Sequence, residues 1–274
     1  MDANGHRTRA GAGAPTYGSG MSYSIIGSPG KKISYLGAVD PLTGKPSGLG
    51  VVGTNAERGL PSTNTSNYDP AAFDQVGKVG LGDLEISDDG KYLFSMNLYS
   101  RLLYRLTLND AYTPTAVTAV DSFAMPIAPC TNGVLRPYAT KFYRDKLYIG
   151  AVCTGENNGT TSQMTAYVFE LLTPTGVTPT LSASPVFMMP LNYTKGASMT
   201  WTTPDFGQGW NPWTDSLRTQ GTDAAAKDRT YPTPILSDLE FTDRGDLLLS
   251  FSDRTANQYG WGNYRWLSGN TSDI

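Results

Sequence analysis

Histidine is nearly missing from this chain: His6 is the only one in 274 residues. It sits in a Gly- and Ala-rich stretch, away from any structured segment. Ser-His-Asp and Cys-His nucleophilic machinery is therefore excluded within this chain. His-ligated zinc and copper sites are excluded with it. Charge is also scarce, with 16% charged residues, a net charge of −3 and no basic run. A nucleic-acid footprint needs clustered Lys and Arg to neutralise phosphates, so no nucleic-acid partner is expected. No apolar stretch approaches the roughly 20 residues that span a bilayer, and no membrane span is expected. The first thirty residues lack the apolar core of a signal peptide. If the protein is secreted, its signal is expected on a part of the parent outside this chain.

Cysteine is limited to Cys130 and Cys153. Their spacing is too long for a CxxC metal or redox site. They flank one predicted hairpin in a chain of Thr-, Asn- and Tyr-rich, extracellular character, so we read them as a disulfide. Buried free thiols are the alternative.

What the chain does have is 30 Gly, 18 Pro and 16 Tyr. Gly and Pro at that density cut it into short elements, and Tyr, Thr, Val and Phe suit pleated, half-buried surfaces. Long amphipathic stripes are absent, and Thr222–Lys227 is the one short helix candidate. The expected class is all-β. Residues 1–20 read as a flexible N-terminal segment. Weak strand signals follow at Ser22–Ile26 and Lys32–Ala38, and 61–78 is a polar loop.

One segment occurs twice. Residues 81–95 read LGDLEISDDGKYLFS and residues 236–250 read LSDLEFTDRGDLLLS. Each is an apolar strand, a polar turn with Gly and a second apolar strand, which is a hairpin signature. A repeated hairpin in an all-β chain suggests the blades of a propeller. The first blade is expected near 79–123, with strands at Leu81–Ser87, Tyr92–Asn97, Leu102–Leu108 and Ala116–Phe123. The second is expected near 136–191, with strands at Tyr138–Tyr143, Lys146–Cys153, Thr165–Leu172 and Pro185–Leu191. The third is expected near 235–274, with strands at Ile235–Phe241 and Asp246–Ser252 and a polar, aromatic loop after them. Residues 195–232 break the pattern and read as a long, packed insertion. Three blades, with one more in the first 60 residues, do not fill a ring. The expectation is a partial or incomplete β-propeller of repeated four-stranded blades over 21–274, either a fragment of a longer propeller or a ring completed by other copies.

The runs VGKVGLGDLEISDDGKYLFSMNLYSRLLYRL, APCTNGVLRPYATKFYRDKLYIGAVC and YPTPILSDLEFTDRGDLLLSFSDRTANQYG together resemble a propeller module. That module is found in large secreted bacterial surface proteins with SdrD-type B or similar Ig-like repeats. The resemblance covers roughly residues 73–274. It implies a secreted or cell-surface location and a propeller architecture, and it carries no activity over. Family members carry Gly-His-Gln after the last DRT, where this chain has Ala256-Asn257-Gln258. The B-type repeats themselves are absent.

Two constellations are candidates for chemistry. Asp83 and Glu85 are two apart and share a strand face, and Asp238 and Glu240 repeat the arrangement. Converging at a channel mouth, the four could bind Ca²⁺. On the competing reading each Asp accepts backbone N–H groups of a neighbouring blade. The second blade has Ala139 and Lys141 at the matching places, and Lys141 could pair with a carboxylate. The aromatic set Trp201, Trp210, Trp213, Tyr259, Trp261, Tyr264 and Trp266 could form a surface that stacks on sugar rings, with Asp253, Arg254, Asn257 and Gln258 as polar contacts. The alternative is that these aromatics pack between blades.

Arg244-Gly245-Asp246 falls at a tight turn and reads as a chance match to the integrin tripeptide. The sequons at Asn64, Asn158, Asn192 and Asn270 mark polar loops.

The leading functional expectation is a non-catalytic extracellular module for adhesion, ligand binding (a glycan included) or surface assembly. Its partners would be other domains of a larger surface protein or further copies of itself. One alternative is a calcium-dependent hydrolase of the lactonase type built on the four carboxylates. Another is a structural subunit that self-assembles edge to edge.

Overall fold

The computed structural model describes residues 76–78, 81–126, 128–195, 209–215 and 231–259. The expected flexible segment, both weak strand signals, the helix candidate Thr222–Lys227, and Trp201, Trp261, Tyr264 and Trp266 lie outside the described residues.

The chain is all-β, as its composition implies. Sheet one runs β1 (Leu81–Ile86), β2 (Tyr92–Asn97), β3 (Leu102–Leu108) and β4 (Val117–Ala124), paired in chain order. Sheet two holds β5 (Leu135–Tyr143), β6 (Lys146–Cys153), β7 (Thr165–Leu172) and β8 (Thr180–Leu181), with β9 (Phe187–Pro190) also paired to β7. Sheet three is the hairpin of β10 (Pro234–Phe241) and β11 (Leu247–Asp253). Every pairing is antiparallel, and no sheet closes on itself.

Two differences from expectation stand out. Strand number is not uniform: the sheets have four, five and two strands among the described residues. The segment after β11, expected as a loop, starts as a short helix, α1 (Arg254–Tyr259). Asp253 explains the helix start. Its side chain accepts the Thr255 N–H at 2.9 Å, occupying a donor that a helix N-terminus leaves unpaired.

The hairpin turns follow from their residues. Gly90 and Gly245 sit at positive φ, 69° and 91°. The β5–β6 turn places Arg144 and Asp145 at φ 50° and 59°, as a two-residue primed turn requires. The two copies of the repeated segment fall on β1–β2 and β10–β11. The first strand of each sheet carries a register break at a matching place: Leu81/Leu84, Pro137/Thr140 and Leu236/Asp238.

These three first strands lie beside one another. A Cβ at Gly82 would stand 2.6 Å from the Tyr138 carbonyl oxygen, so only glycine permits that approach of β1 to β5. Sheet two is buried on both faces. Towards sheet one, Phe142, Leu147, Ile149 and Leu171 pack on Phe94, Met96, Leu98 and Leu103. Towards sheet three, Ala139, Val152, Ala166 and Val168 pack with Leu236 and Leu239, and Leu247, Leu249 and Phe251 close over them. Each fully buried Leu or Phe contributes about 1.5–3 kcal/mol.

Candidate functional site

The repeated carboxylates meet where the first strands meet, but not as a cation-binding set. Asp83 accepts the backbone N–H of Thr140 from the neighbouring sheet at 3.1 Å and that of Leu84 at 2.8 Å. The Lys141 Nζ lies 2.9 Å from Glu240 and 3.7 Å from Glu85. An ammonium therefore stands where a shared metal would need oxygen ligands alone. Among the described residues no group of three or more His, Cys, Asp or Glu is placed to hold a metal. Of the expected calcium set, Asp83, Glu85 and Glu240 thus sit in an ion-pair and hydrogen-bond junction, and Asp238 is exposed. Burial pushes the Asp83 and Glu85 carboxyls up, against the backbone bonds to Asp83 and the charge of Lys141 beside Glu85. The bond from Lys141 holds Glu240 down.

Of the aromatics of the expected stacking surface, Trp210 and Trp213 are the ones whose side chains the structure describes. Both are buried. Trp210 donates its indole N–H to the Tyr193 hydroxyl at 3.1 Å and packs on Phe251 with ring centroids 5.8 Å apart. The Trp213 indole N–H donates to the Pro234 carbonyl at 2.7 Å. Guanidinium groups of Arg254 and Arg136 lie over its ring at 4.6 and 5.6 Å. These rings are committed to the protein. Of the expected polar contacts, Asp253 caps α1 and also accepts the Thr233 N–H at 2.9 Å. Gln258 is buried and donates to the Thr214 carbonyl at 3.3 Å. Asn257 lies on α1, half-buried, and Tyr259 closes that helix.

Trp213 also lines a cavity that sequence reasoning did not locate. It has a volume of about 620 Å³ and a polar wall. Lys78, the β6–β7 loop from Gly155 to Gly159, the segment Pro212–Asp215 and Tyr231 line it. Three charged side chains, Lys78, Glu156 and Asp215, are part of its lining, and Arg136 and Arg254 pair with them. Arg136 makes a two-point contact with Glu156, at 2.9 and 2.6 Å. Lys78 reaches Asp215 at 2.5 Å and Glu156 at 3.7 Å. Arg254, wholly buried, donates to the carbonyls of Val76 and Thr214 at 2.7 Å each and to Asp215 at 2.8 Å.

Backbone bonds and a covalent link fix the wall. Cys130 and Cys153 are at disulfide distance, with Cα atoms 5.3 Å apart. The next residue, Thr154, donates its N–H to Val134 at 3.2 Å and accepts the Trp213 N–H at 3.0 Å. Asn158, exposed at the rim, holds φ 61°, a conformation asparagine tolerates better than most residues. The Cys pair and the odd cluster of Trp and Pro in 210–213 were the sequence signals near this cavity. Nothing in the sequence brought Lys78 and Glu156 to it.

Glu156 provides a pH test. Burial works to raise its carboxyl, but Arg136, Lys78 and the Thr154 hydroxyl outweigh burial and hold it at about 2, against an ordinary 4.5. A lowered carboxylate contributes stability above its ordinary value and loses it as pH falls through about 2. The shift corresponds to something on the order of 3 kcal/mol. Asp83 and Glu85 act with the opposite sign: their contribution is present in acid and lost as pH rises through their raised values. Glu156→Gln should therefore lower stability at pH 7 by this order, with the two proteins converging near pH 2 in urea titrations. Parallel curves from pH 2 to 7 would show that the carboxylate is not paired as described.

Compared with known proteins, the chain matches no family model, and neither a curated protein nor a solved structure is similar to it.

Proposed function

We propose that this chain is a non-catalytic extracellular binding module of propeller type, and that the polar cavity at the loop end of its sheets holds a hydroxyl-rich ligand such as a carbohydrate. The cavity carries the reading: segments from residues 78, 155–159, 212–215 and 231 converge on one polar, pre-organised space. Its volume is within the roughly 300–1,000 Å³ of small-ligand sites. Amide and carboxylate side chains suit hydroxyl groups, which both donate and accept.

Propeller architecture is supported by the matching register breaks, the adjacent first strands and the repeated hairpin. The Cys130–Cys153 pair is consistent with an oxidising, extracellular setting. Its partners on this reading are other domains of a larger surface protein or further copies of the chain.

A glycan array followed by calorimetry on the best binder tests the reading. Asn157→Trp, which fills the cavity from an exposed position on its wall, should abolish binding without changing the melting temperature. Binding that survives this block would place the ligand elsewhere.

A further inference from the structure

The five charges of this network are not equally placed. The side chains of Arg254, Glu156, Arg136 and Lys78 are 0%, 11%, 14% and 20% exposed, whereas Asp215 is 43% exposed. Glu156 is fully engaged, with both oxygens on Arg136 and one also on the Thr154 hydroxyl at 2.9 Å. Asp215 sits on a segment, 209–215, without strand or helix. From the surface it gives one oxygen to Lys78 and the other to Arg254. Sheltered cations need an anionic partner, because a charge removed from water without one is costly. The anion that meets this need for Lys78 is the one member of the group half out in solvent, and it lies on the cavity wall.

We propose that Asp215 is an internal stand-in for the carboxylate of the ligand, and that the cavity takes an acidic sugar of the uronate type. The inference rests on the carbohydrate reading above and specifies its ligand class. The sugar carboxylate would displace Asp215 from Lys78, and the ring hydroxyls would meet the Asn157 and Asn158 amides. A carboxylate oxygen on Lys78 is the contact that one oxygen of Asp215 already makes, and the other oxygen of Asp215 can stay on Arg254, so the exchange leaves no cation unpaired. Neutral sugars cannot make that exchange, because displacing Asp215 would leave Lys78 to Glu156, which is 3.7 Å away and already bonded to Arg136.

The sign of one variant separates this from an ordinary sugar site. If Asp215 competes with the ligand, removing its charge raises the competent fraction and tightens binding. If Asp215 instead contacts the ligand, removing its charge weakens binding. The full chain, Asp215→Asn and Lys78→Gln would be titrated with glucuronate, galacturonate, glucose and galactose, by calorimetry and tryptophan fluorescence. Thermal melting would confirm that each variant folds. The expected result is uronate binding that tightens roughly tenfold in Asp215→Asn and is lost in Lys78→Gln, with the neutral sugars at least about tenfold weaker. Equal binding of neutral and acidic sugars, or weaker uronate binding in Asp215→Asn, would overturn the inference and leave the carbohydrate reading standing. No binding of any of the four, in the wild type or in Asp215→Asn, would count against both.

Discussion

Replacing Arg254 with methionine should cost about 3–5 kcal/mol of folding free energy, the range for removing one partner of a buried ion pair. Methionine roughly fills the volume but donates nothing. The buried Val76 carbonyl and one oxygen of Asp215 lose this donor, and the Thr214 carbonyl loses its shorter bond while keeping the one from Gln258. The contact with the Trp213 ring is lost as well. The effect should be large because these groups come from two segments far apart in sequence, which this one guanidinium joins to a third, its own. Lysine should not rescue it, since a single ammonium cannot match a planar fork aimed in three directions. Asp215→Asn should cost much less, because that side chain is half in water. Urea denaturation followed by tryptophan fluorescence measures both. A loss under about 1 kcal/mol for Arg254→Met would mean that the carbonyls find other donors and that the guanidinium is not the joint.

Removing the cysteine pair should be nearly as damaging. The two residues are 23 apart, and a link across a loop of that size is worth about 3 kcal/mol by chain entropy. A double serine variant should show that loss. It should also show something local. Thr154, beside Cys153, holds the Trp213 backbone N–H, so loosening this strand end should move Trp213 towards water and shift its emission to longer wavelength under native conditions. A stability loss with unchanged emission would assign the whole effect to the unfolded chain and none to the cavity wall.

The strands were largely legible in the sequence. Tyr92–Asn97, Leu102–Leu108, Lys146–Cys153 and Thr165–Leu172 match their expected bounds, because alternation and turn residues mark both ends of each. Short β8 was missed, since two residues carry no period. Helix α1 was missed because six mostly polar residues give no amphipathic stripe; the cap at Asp253 was its one local signal. The pairing of Asp83 with the backbone of sheet two, and of Lys141 with the carboxylates, could be posed from the strand-face rule and is what the structure contains. Calcium was the alternative, and only the inter-sheet placement of Lys141 decides against it. The cavity was illegible. Ion pairs across 137 and 39 residues, Lys78 to Asp215 and Arg254 to Asp215, leave no trace in local pattern. Trp213, one of the tryptophans that suggested a ligand, is instead held by Arg136, Arg254 and the Pro234 carbonyl.

Sheet two takes part in both cores, and this sets the order in which the molecule comes apart. Neither face of β6 or β7 can meet solvent until a flanking sheet, or the stretch carrying Met125, Ala128 and Cys130, has left. Amide hydrogens in those two strands should therefore exchange only through the largest openings, while the two-stranded β10–β11 hairpin breathes first. On the cavity wall the loop that leaves β6 is anchored to this slow unit, and Trp213 is bonded to the carbonyl of β10 residue Pro234 at the fast one. A ligand that bridges the two walls would slow exchange in the hairpin more than anywhere else, so its footprint would be read most clearly in strands it never touches.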